Sequence, residues 1–244
     1  MTGELKSMNK PSKGLMSKIE GFYERYPGEN FGFAAVALLI LTVGASIILY
    51  MRVDPTFNFF THYVSGLGGP PKGAPEGVQY LSATVYNMGM LLAVPLRIAF
   101  LLQVIILVKR SGAGLWLSRT SLVTGLVSST GWLLMALVPF SADLDLHMIG
   151  ALIYFLGATS FQLTFAVTEL RTPGLPTHLP LIGLLNLIVF SVFSYQLIQV
   201  EVLQISGIPE PAIYEWLVFV LAILWVIAHG LHTMKARNSS ATEI

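Results

Sequence analysis

Two histidines, a serine and an aspartate lie near the ends of the apolar stretches of this sequence. His62 and Ser65 are three residues apart, so one helical turn would place their side chains together. His147 follows Asp143 at the predicted start of a helix, where the helix dipole favours the neutral imidazole. A neutral imidazole can act as a general base, a metal ligand or a hydrogen-bond donor. These four residues are therefore candidates for a hydrolytic site.

Zinc is the metal that such a site would hold, with His62, His147 and Asp143 as the candidate ligands. The support from spacing is weak, because the sequence has no HExxH motif or other close pair of ligands. The sequence has no cysteine, which excludes thiolate ligands, disulfides and a cysteine nucleophile. The alternative interpretation is structural, with the same side chains capping helix ends and anchoring loops.

A second group of polar residues lies within the apolar stretches, where polar side chains are costly and face the protein interior. At 1.5 Å per residue, Arg97 lies at about the same depth as Gln162, Asn186 and His229. A guanidinium matches the geometry of a phosphate. We therefore predict a lipid-binding site, with the candidate residues Arg97, Asn87, Gln162 and Asn186. The alternative is that Arg97 extends along its helix to the cytoplasmic head groups.

The composition indicates a membrane protein. Of the 244 residues, 54% are hydrophobic and 11% are charged, and the mean hydropathy is +0.70. Soluble domains carry about 25% charged residues, so this chain has too little charge to cover a globule of its length. These values exclude a soluble enzyme, a disordered chain and a nucleic-acid-binding protein. The net charge of +1 does not indicate any partner.

Six stretches are long and apolar enough to cross a bilayer core of about 30 Å as helices. Their hydrophobicity is continuous, whereas the strands of a membrane barrel alternate. We therefore predict an all-α, polytopic membrane protein with a six-transmembrane-helix bundle over residues 30–231. The predicted spans are 30–51, 80–108, 120–139, 148–168, 179–200 and 212–231.

Lysine and arginine are distributed unevenly between the two sides of the predicted bundle. Most of them lie on the side of the two termini, whereas the opposite connections are mainly acidic. Because basic loops stay in the cytoplasm, both termini are predicted to be cytoplasmic. We expect the chain to be a multi-pass protein of the cell (plasma) membrane.

Three segments outside the spans have distinct compositions. Residues 1–29 form a predicted cytoplasmic segment, in which helical spacing over 12–27 indicates a short amphipathic helix on the membrane surface. A mobile tail is the alternative for this segment. Residues 52–79 are first aromatic and then rich in glycine and proline, which predicts an outer loop that caps the helix ends. Residues 232–244 are polar and are predicted to be a disordered cytoplasmic tail.

Small residues in the third and fourth spans predict that these two helices approach each other closely. The same residues would also suit a homo-oligomer or a contact with another membrane protein. They are Gly125, Ser128, Ser129, Gly131, Gly150 and Gly157.

Two segments resemble the DRAM/Frag/Sfk (damage-regulated autophagy modulator-like) superfamily of six-helix membrane proteins. The stretch HYVSGLGGPP is similar to the family's first-loop motif, which is followed by an asparagine and a basic residue in the next helix. The matching residues are Tyr63, Val64, Ser65, Gly68, Pro70, Pro71, Asn87 and Arg97. The stretch 124–163 is similar to the family's third helix, outer loop and fourth helix. Its matching residues are Gly125, Ser128, Gly131, Phe140, His147, Gly150, Ala151 and Gln162.

The resemblance covers about residues 30–230 and implies six helices, cytoplasmic termini and a role in lipid-linked membrane biology. The family includes lysosomal autophagy modulators, a factor in glycolipid-anchor remodelling and plasma-membrane phosphoinositide regulators. It brings no accepted catalytic mechanism. Gly66 stands where the eukaryotic members usually carry aspartate, so the chain resembles the uncharacterised prokaryotic relatives more closely.

Two functions from different classes follow. The first is a membrane protein that binds or organises membrane lipids without catalysis and needs no cofactor. The alternative is an intramembrane lipid hydrolase or transferase, with or without zinc, in which His147 or His62 acts as base and Asp143 or Asp54 supports it. A transporter would show broken helices or inverted repeats, and the sequence shows neither beyond Pro95. The expected partners are membrane lipids and not nucleic acid.

Overall fold

A computed structural model describes residues 14–71, 73–75, 80–205 and 211–242 of the chain. These residues form seven α-helices and two short helical segments, without a β-strand. The short segments are a 3-10 helix at Ser65–Gly68 and a π-helical turn at Ile198–Val202. The α-helices are α1 (Leu15–Arg25), α2 (Gly28–Met51), α3 (Leu81–Arg110), α4 (Leu115–Leu137), α5 (Leu144–Leu170), α6 (His178–Leu197) and α7 (Ala212–Thr242).

Six of these helices, α2 to α7, are long and apolar enough to cross a membrane. Each of them overlaps one of the predicted spans. The predicted spans 80–108, 120–139 and 179–200 each run one to three residues past one end of their helix. This result confirms the prediction of an all-helical, multi-pass membrane protein with a six-helix bundle.

The six long helices form a closed ring. Each helix packs against its neighbours in the chain, and α7 also packs against α2, which joins the two ends of the bundle sequence. All six helices contribute side chains to one interior space. We call the end at the 52–71 segment the cap end, and the end where α2 begins and α7 finishes the terminal end.

The contact between α4 and α5 depends on glycines. A Cβ atom at Gly131 would lie 2.2 Å from the backbone nitrogen of Tyr154, and one at Gly157 would lie 2.7 Å from the backbone nitrogen of Ser128. Only glycine allows the two backbones to approach this closely. The close approach that the small residues predict is therefore present in the structure.

The last helix is longer than the sequence predicts. α7 continues to Thr242, through most of the 232–244 segment for which we expected a disordered tail. Arg237 donates from Nε to Oε1 of Glu29 over 2.8 Å, which ties this part of α7 to the start of α2. The polar composition of the segment did not reveal this contact, because Glu29 is distant in the sequence.

The first helix, α1, packs against α3 near Pro95. The side chain of Tyr23 is buried, and its hydroxyl donates to the carbonyl of Ala99 over 2.6 Å. Phe22 stacks on Phe31 of α2 with a ring separation of 5.9 Å. These contacts fix the direction of α1 relative to the bundle.

The segment between α2 and α3 folds over the cap end of the ring. Trp216 of α7 donates from its indole nitrogen to the carbonyl of His62 over 2.8 Å. Asn87 of α3 donates from Nδ2 to the carbonyl of Gly68 over 3.0 Å. A Cβ atom at Gly68 would lie 2.5 Å from Oδ1 of Asn87, so this contact requires glycine. Two helices thus hold the loop in place.

Candidate functional site

Three adjoining cavities lie between the loop and the middle of the ring. The cap cavity, under the loop, has a volume of about 350 Å³, and the middle and arginine cavities have volumes of about 70 and 90 Å³. Ser65, His147 and Glu215 line both the cap and the middle cavity. Trp132 and Tyr154 line both the middle and the arginine cavity. The shared residues place the three cavities in one series.

Most side chains that line these cavities are apolar or aromatic. The series therefore offers an apolar environment with a few polar groups, which is the usual character of a small-molecule site. Residues that show this character are Tyr50, Phe57, Leu67, Met90, Ala93, Phe100, Met135, Phe155, Phe161, Phe190, Phe193 and Phe219.

Arg97 lies at the arginine cavity, deep in the ring. Its Nη2 atom donates to Oγ of Ser128 over 2.8 Å. The guanidinium carbon lies 5.0 Å from the ring centroid of Trp132 and 5.3 Å from that of Tyr154. The Nη1 atom is buried and has no hydrogen-bond partner. Within the described chain, Arg97 also has no carboxylate partner.

These contacts contradict one of the two interpretations of Arg97. The guanidinium does not extend to the cytoplasmic head groups, because Ser128, Trp132 and Tyr154 hold it inside the ring. A hydroxyl and two aromatic faces replace part of the hydration of the cation. Neither ring is among the predicted site residues, because their proximity to Arg97 depends on the packing of α4 and α5.

Of the other predicted lipid-binding residues, Gln162 lies nearest to Arg97 in the cavity series. Gln162 lines the arginine cavity, its side chain is 5% exposed, and its Oε1 atom has no hydrogen-bond partner. Asn87 lines the middle cavity and holds the loop at Gly68. Asn186 donates from Nδ2 to the carbonyl of Leu221 over 3.2 Å and thereby joins α6 to α7. It is not part of the lining of these three cavities.

His147 lines the cap and middle cavities. Its Nδ1 lies 2.8 Å from the carbonyl oxygen of Val138. Because a carbonyl can only accept, Nδ1 carries the hydrogen, and Nε2 holds the lone pair of the neutral ring. This arrangement is suited to a general base or to a hydrogen-bond acceptor.

Glu215 was not among the predicted site residues, although it also lies in this region. Its side chain is 8% exposed, and Oε2 accepts a hydrogen bond from the backbone nitrogen of Ser65 over 3.3 Å. The two residues are 150 positions apart in the sequence. The feature of the sequence that could have identified Glu215 as a site residue is its position as an acidic residue at the start of an otherwise apolar span.

His62 is used by the loop itself. Its Nε2 atom lies 3.2 Å from Oδ2 of Asp54, and its Nδ1 atom accepts from the backbone nitrogen of Asn58 over 3.3 Å. Both ring nitrogens are thus engaged. The prediction that one helical turn joins His62 to Ser65 is wrong, because the 3-10 helix begins only at Ser65.

Asp54 is the centre of this loop network. The hydroxyl of Thr56 donates to Oδ1 of Asp54 over 2.5 Å, and the backbone nitrogen of Thr56 donates to the same atom over 2.9 Å. The hydroxyl contact is the largest cause of a lowered pKa for Asp54, and the other contacts, including His62, act in the same direction. Burial opposes them.

Asp143 caps a helix, which is the structural alternative to a catalytic or metal-binding role. It is exposed and caps α5, where its Oδ1 accepts from the backbone nitrogen of Leu146 over 3.0 Å. Among the residues with described positions, no three His, Asp or Glu side chains lie close enough together to hold a metal ion. The structure thus brings His62 and His147 to the cap cavity, and places Asp143 at the helix end.

The terminal end contains two ion pairs with buried acidic residues, which sequence reasoning missed. Nε2 of His229 lies 2.8 Å from Oε1 of Glu169, and both side chains are almost completely buried. The His229 ring stacks on Trp225 at 4.1 Å, and its Nδ1 donates to the carbonyl of the same residue over 2.7 Å. Glu29 and Arg237 form the second pair at 2.8 Å. Both acidic residues flank apolar spans, where carboxylates are usually solvated.

Comparisons of the chain with protein-family models, with curated proteins and with solved structures find no match. The site must therefore be interpreted from its own geometry. That geometry is a series of mainly apolar cavities with Arg97 at one end and with Ser65, His147 and Glu215 toward the cap.

Proposed function

We propose that this protein binds a membrane lipid in its interior cavities, with an anionic group of the lipid at Arg97. The observation that supports the proposal is the buried Nη1 atom of Arg97, which has no partner beside a largely apolar cavity. A buried charge without a counter-charge is costly, and a bound phosphate or carboxylate would remove most of that cost. Catalysis is not required for this function.

The apolar lining supports the lipid character of the ligand. Aromatic and aliphatic side chains surround the series of cavities, so the ligand must carry apolar groups as well as an anion. A membrane supplies molecules with both properties at high local concentration. The cap cavity, at about 350 Å³, is within the range of about 300 to 1,000 Å³ that is typical of ligand sites.

Native mass spectrometry of the protein, purified in a mild detergent, tests this proposal. The wild-type protein is expected to retain a phospholipid, and Arg97→Gln is expected to lose it. Arg119→Gln is the matched control, because Arg119 is exposed at the start of α4. A wild-type protein without lipid, or an Arg97→Gln variant with the same lipid content, would contradict the proposal.

A lipid hydrolase or transferase is the second candidate. The observation that favours it is that His147, whose Nδ1 is bonded to Val138 and whose Nε2 holds the lone pair, lines the two cavities that Ser65 also lines. Incubation with defined phospholipids should then yield lysolipid or an acyl-transfer product, and His147→Ala should abolish the product. Elemental analysis distinguishes the zinc-dependent form, for which stoichiometric zinc is expected in the wild-type protein and not in the variant.

We also propose that both termini face the cytoplasm of a cell with this protein in its plasma membrane, and that α1 lies in the cytoplasmic leaflet. Exposed aromatic residues Phe22 and Tyr26, beside Arg25, support the position of α1. The chain has no cysteine, so single cysteines can report the topology. Ser141→Cys should react with an impermeant maleimide in intact cells, and Thr177→Cys only after permeabilisation. The reverse pattern would invert the topology.

Membership of the DRAM/Frag/Sfk superfamily is part of the same proposal. Four residues that carry the resemblance, Ser65, Asn87, Arg97 and His147, line the three cavities. Their common location supports a shared lipid-related role. Lipid retention that depends on Arg97 but not on Arg119 would support that role further.

A further inference from the structure

We infer that the lipid is zwitterionic, with its anionic group at Arg97 and an amine group at Glu215. The chemical class is an aminophospholipid, whose head group carries both a phosphate and an ammonium. The inference rests on the proposed function and adds the second charged contact, which determines the choice among lipids.

Glu215 is a carboxylate with neutral hydrogen-bond donors and no cationic partner in the described chain. It is buried and lines both the middle and the cap cavity, and its contacts are the backbone nitrogen and hydroxyl of Ser65 and the backbone nitrogen of Val64. Within the described chain it makes no ion pair with lysine or arginine. Neutral donors from Ser65 and Val64 compensate part of the cost of a buried carboxylate, and a bound ammonium would add the opposite charge that they lack.

The two charged groups lie at different heights of the same series of cavities. His147 of α5 shares two cavities with Glu215, and Tyr154 of α5 lies against Arg97. Two turns of α5 separate His147 from Tyr154, which corresponds to about 10 Å along the helix. An extended head group with charges at its two ends can therefore reach both residues.

Aromatic rings line the space between the two charges. Trp132, Tyr154, Phe155 and Phe219 belong to the middle cavity that also contains Glu215. Aromatic faces attract ammonium groups, and the attraction is strongest where water is excluded. The lining therefore favours an ammonium over a neutral hydroxyl group at the Glu215 end of the ligand.

Lipids of other charge satisfy only one end of the site. An anionic lipid without an amine would pair with Arg97 and leave the Glu215 carboxylate unpaired beside it. A cationic amphiphile would pair with Glu215 and leave Arg97 without an anion. A zwitterion removes both costs, and this requirement gives the site its selectivity.

Competition between two lipids tests the inference. Wild-type protein in detergent with equal amounts of phosphatidylethanolamine and phosphatidylglycerol should retain the first lipid at least about tenfold over the second in native mass spectra. Glu215→Gln should bind both lipids with the preference reduced to about one. Arg97→Gln should bind neither lipid, and Glu24→Gln, on the exposed face of α1, should match the wild-type protein.

The outcomes separate the inference from the proposed function. Retention of both lipids without preference, or a preference that persists in Glu215→Gln, overturns the zwitterionic ligand while lipid binding at Arg97 stands. Absence of both lipids from the wild-type protein overturns the proposed function itself. If Glu215→Gln aggregates, Glu215→Asp keeps the charge at a shorter reach, and an unchanged preference in that folded variant supports the inference. A lost preference there overturns it.

Discussion

Buried charges are paired at the terminal end of the ring and unpaired in its cavity region. At the terminal end, the acids Glu169 and Glu29 each have a basic partner at 2.8 Å. In the cavity region, Arg97 and Glu215 have no ion-pair partner within the described chain. A protein gains no stability from buried charges that lack partners. The comparison indicates that the terminal end is built for stability and the cavity region for a ligand.

The largest effect is expected from breaking the pair of Glu169 and His229. Glu169→Ala leaves a buried imidazole without its partner, so the free energy of unfolding should fall by about 3–5 kcal/mol. Thermal unfolding in detergent measures the change, and Glu24→Ala is the exposed control. A loss below about 1 kcal/mol would remove the distinction between the terminal end and the cavity region.

Arg97→Met tests the expectation that the unpaired charge in the cavity region does not stabilise the lipid-free protein. In lipid-free protein it should be neutral or stabilising, because it removes a buried charge without a counter-charge. Added phospholipid should stabilise the wild-type protein by about 2.7 kcal/mol at a lipid concentration of 100 times Kd. The variant should show no such stabilisation. Melting curves with and without lipid measure both values. A lipid-free variant as unstable as Glu169→Ala would assign Arg97 a structural role.

Glu29→Gln should have a smaller effect. Its partner Arg237 has a side chain that is 52% exposed, so solvent screens the pair and can accommodate the guanidinium when the carboxylate is removed. A loss of about 1 kcal/mol or less is expected, with a weak dependence on salt. Melting curves at low and high salt provide the measurement. A loss equal to that of Glu169→Ala would show that exposure does not distinguish the two pairs.

The smallest effect concerns the loop above the cavities. The pKa of Asp54 is lowered mainly by the hydroxyl of Thr56, so the ionised carboxylate stabilises the folded loop. This stabilisation is complete above the pKa of the unfolded state and is lost as the pH falls through the lower pKa of the folded state. Fluorescence of Trp216, which packs on Phe59, should report the loss. Asp54→Asn should lack this transition, and an unchanged transition would exclude Asp54 as its source.

The spans could be predicted from the sequence because bilayer thickness and continuous hydrophobicity are sufficient to define them. The close contact of α4 and α5 could be predicted as well, since glycine and serine are the residues that permit it. The helical tail was missed, because Arg237 is held by a residue at the other end of the chain. Composition contains no information about such a partner.

The candidate site could be predicted in its residues but not in its arrangement. Arg97 and Gln162 were recognised because polar groups in apolar spans need a reason, and Ser65 and His147 because they lie near the ends of such spans. Which of them share a cavity depends on how six helices rotate about their axes, and hydrophobicity that surrounds a helix on all sides does not define that rotation. Glu215 was missed as a site residue for the same reason, since its contact with Ser65 crosses 150 residues.

The glycine contact between α4 and α5 has a mechanical consequence for recognition. Gly131 lies next to Trp132 and touches the backbone of Tyr154, so the two rings beside Arg97 stand on helices that cannot slide or separate freely. The two rings contact each other edge to face, with their centroids 5.4 Å apart. The aromatic pair is therefore preorganised. Its conformational entropy is lost when the protein folds, so ligand binding does not have to order these two side chains.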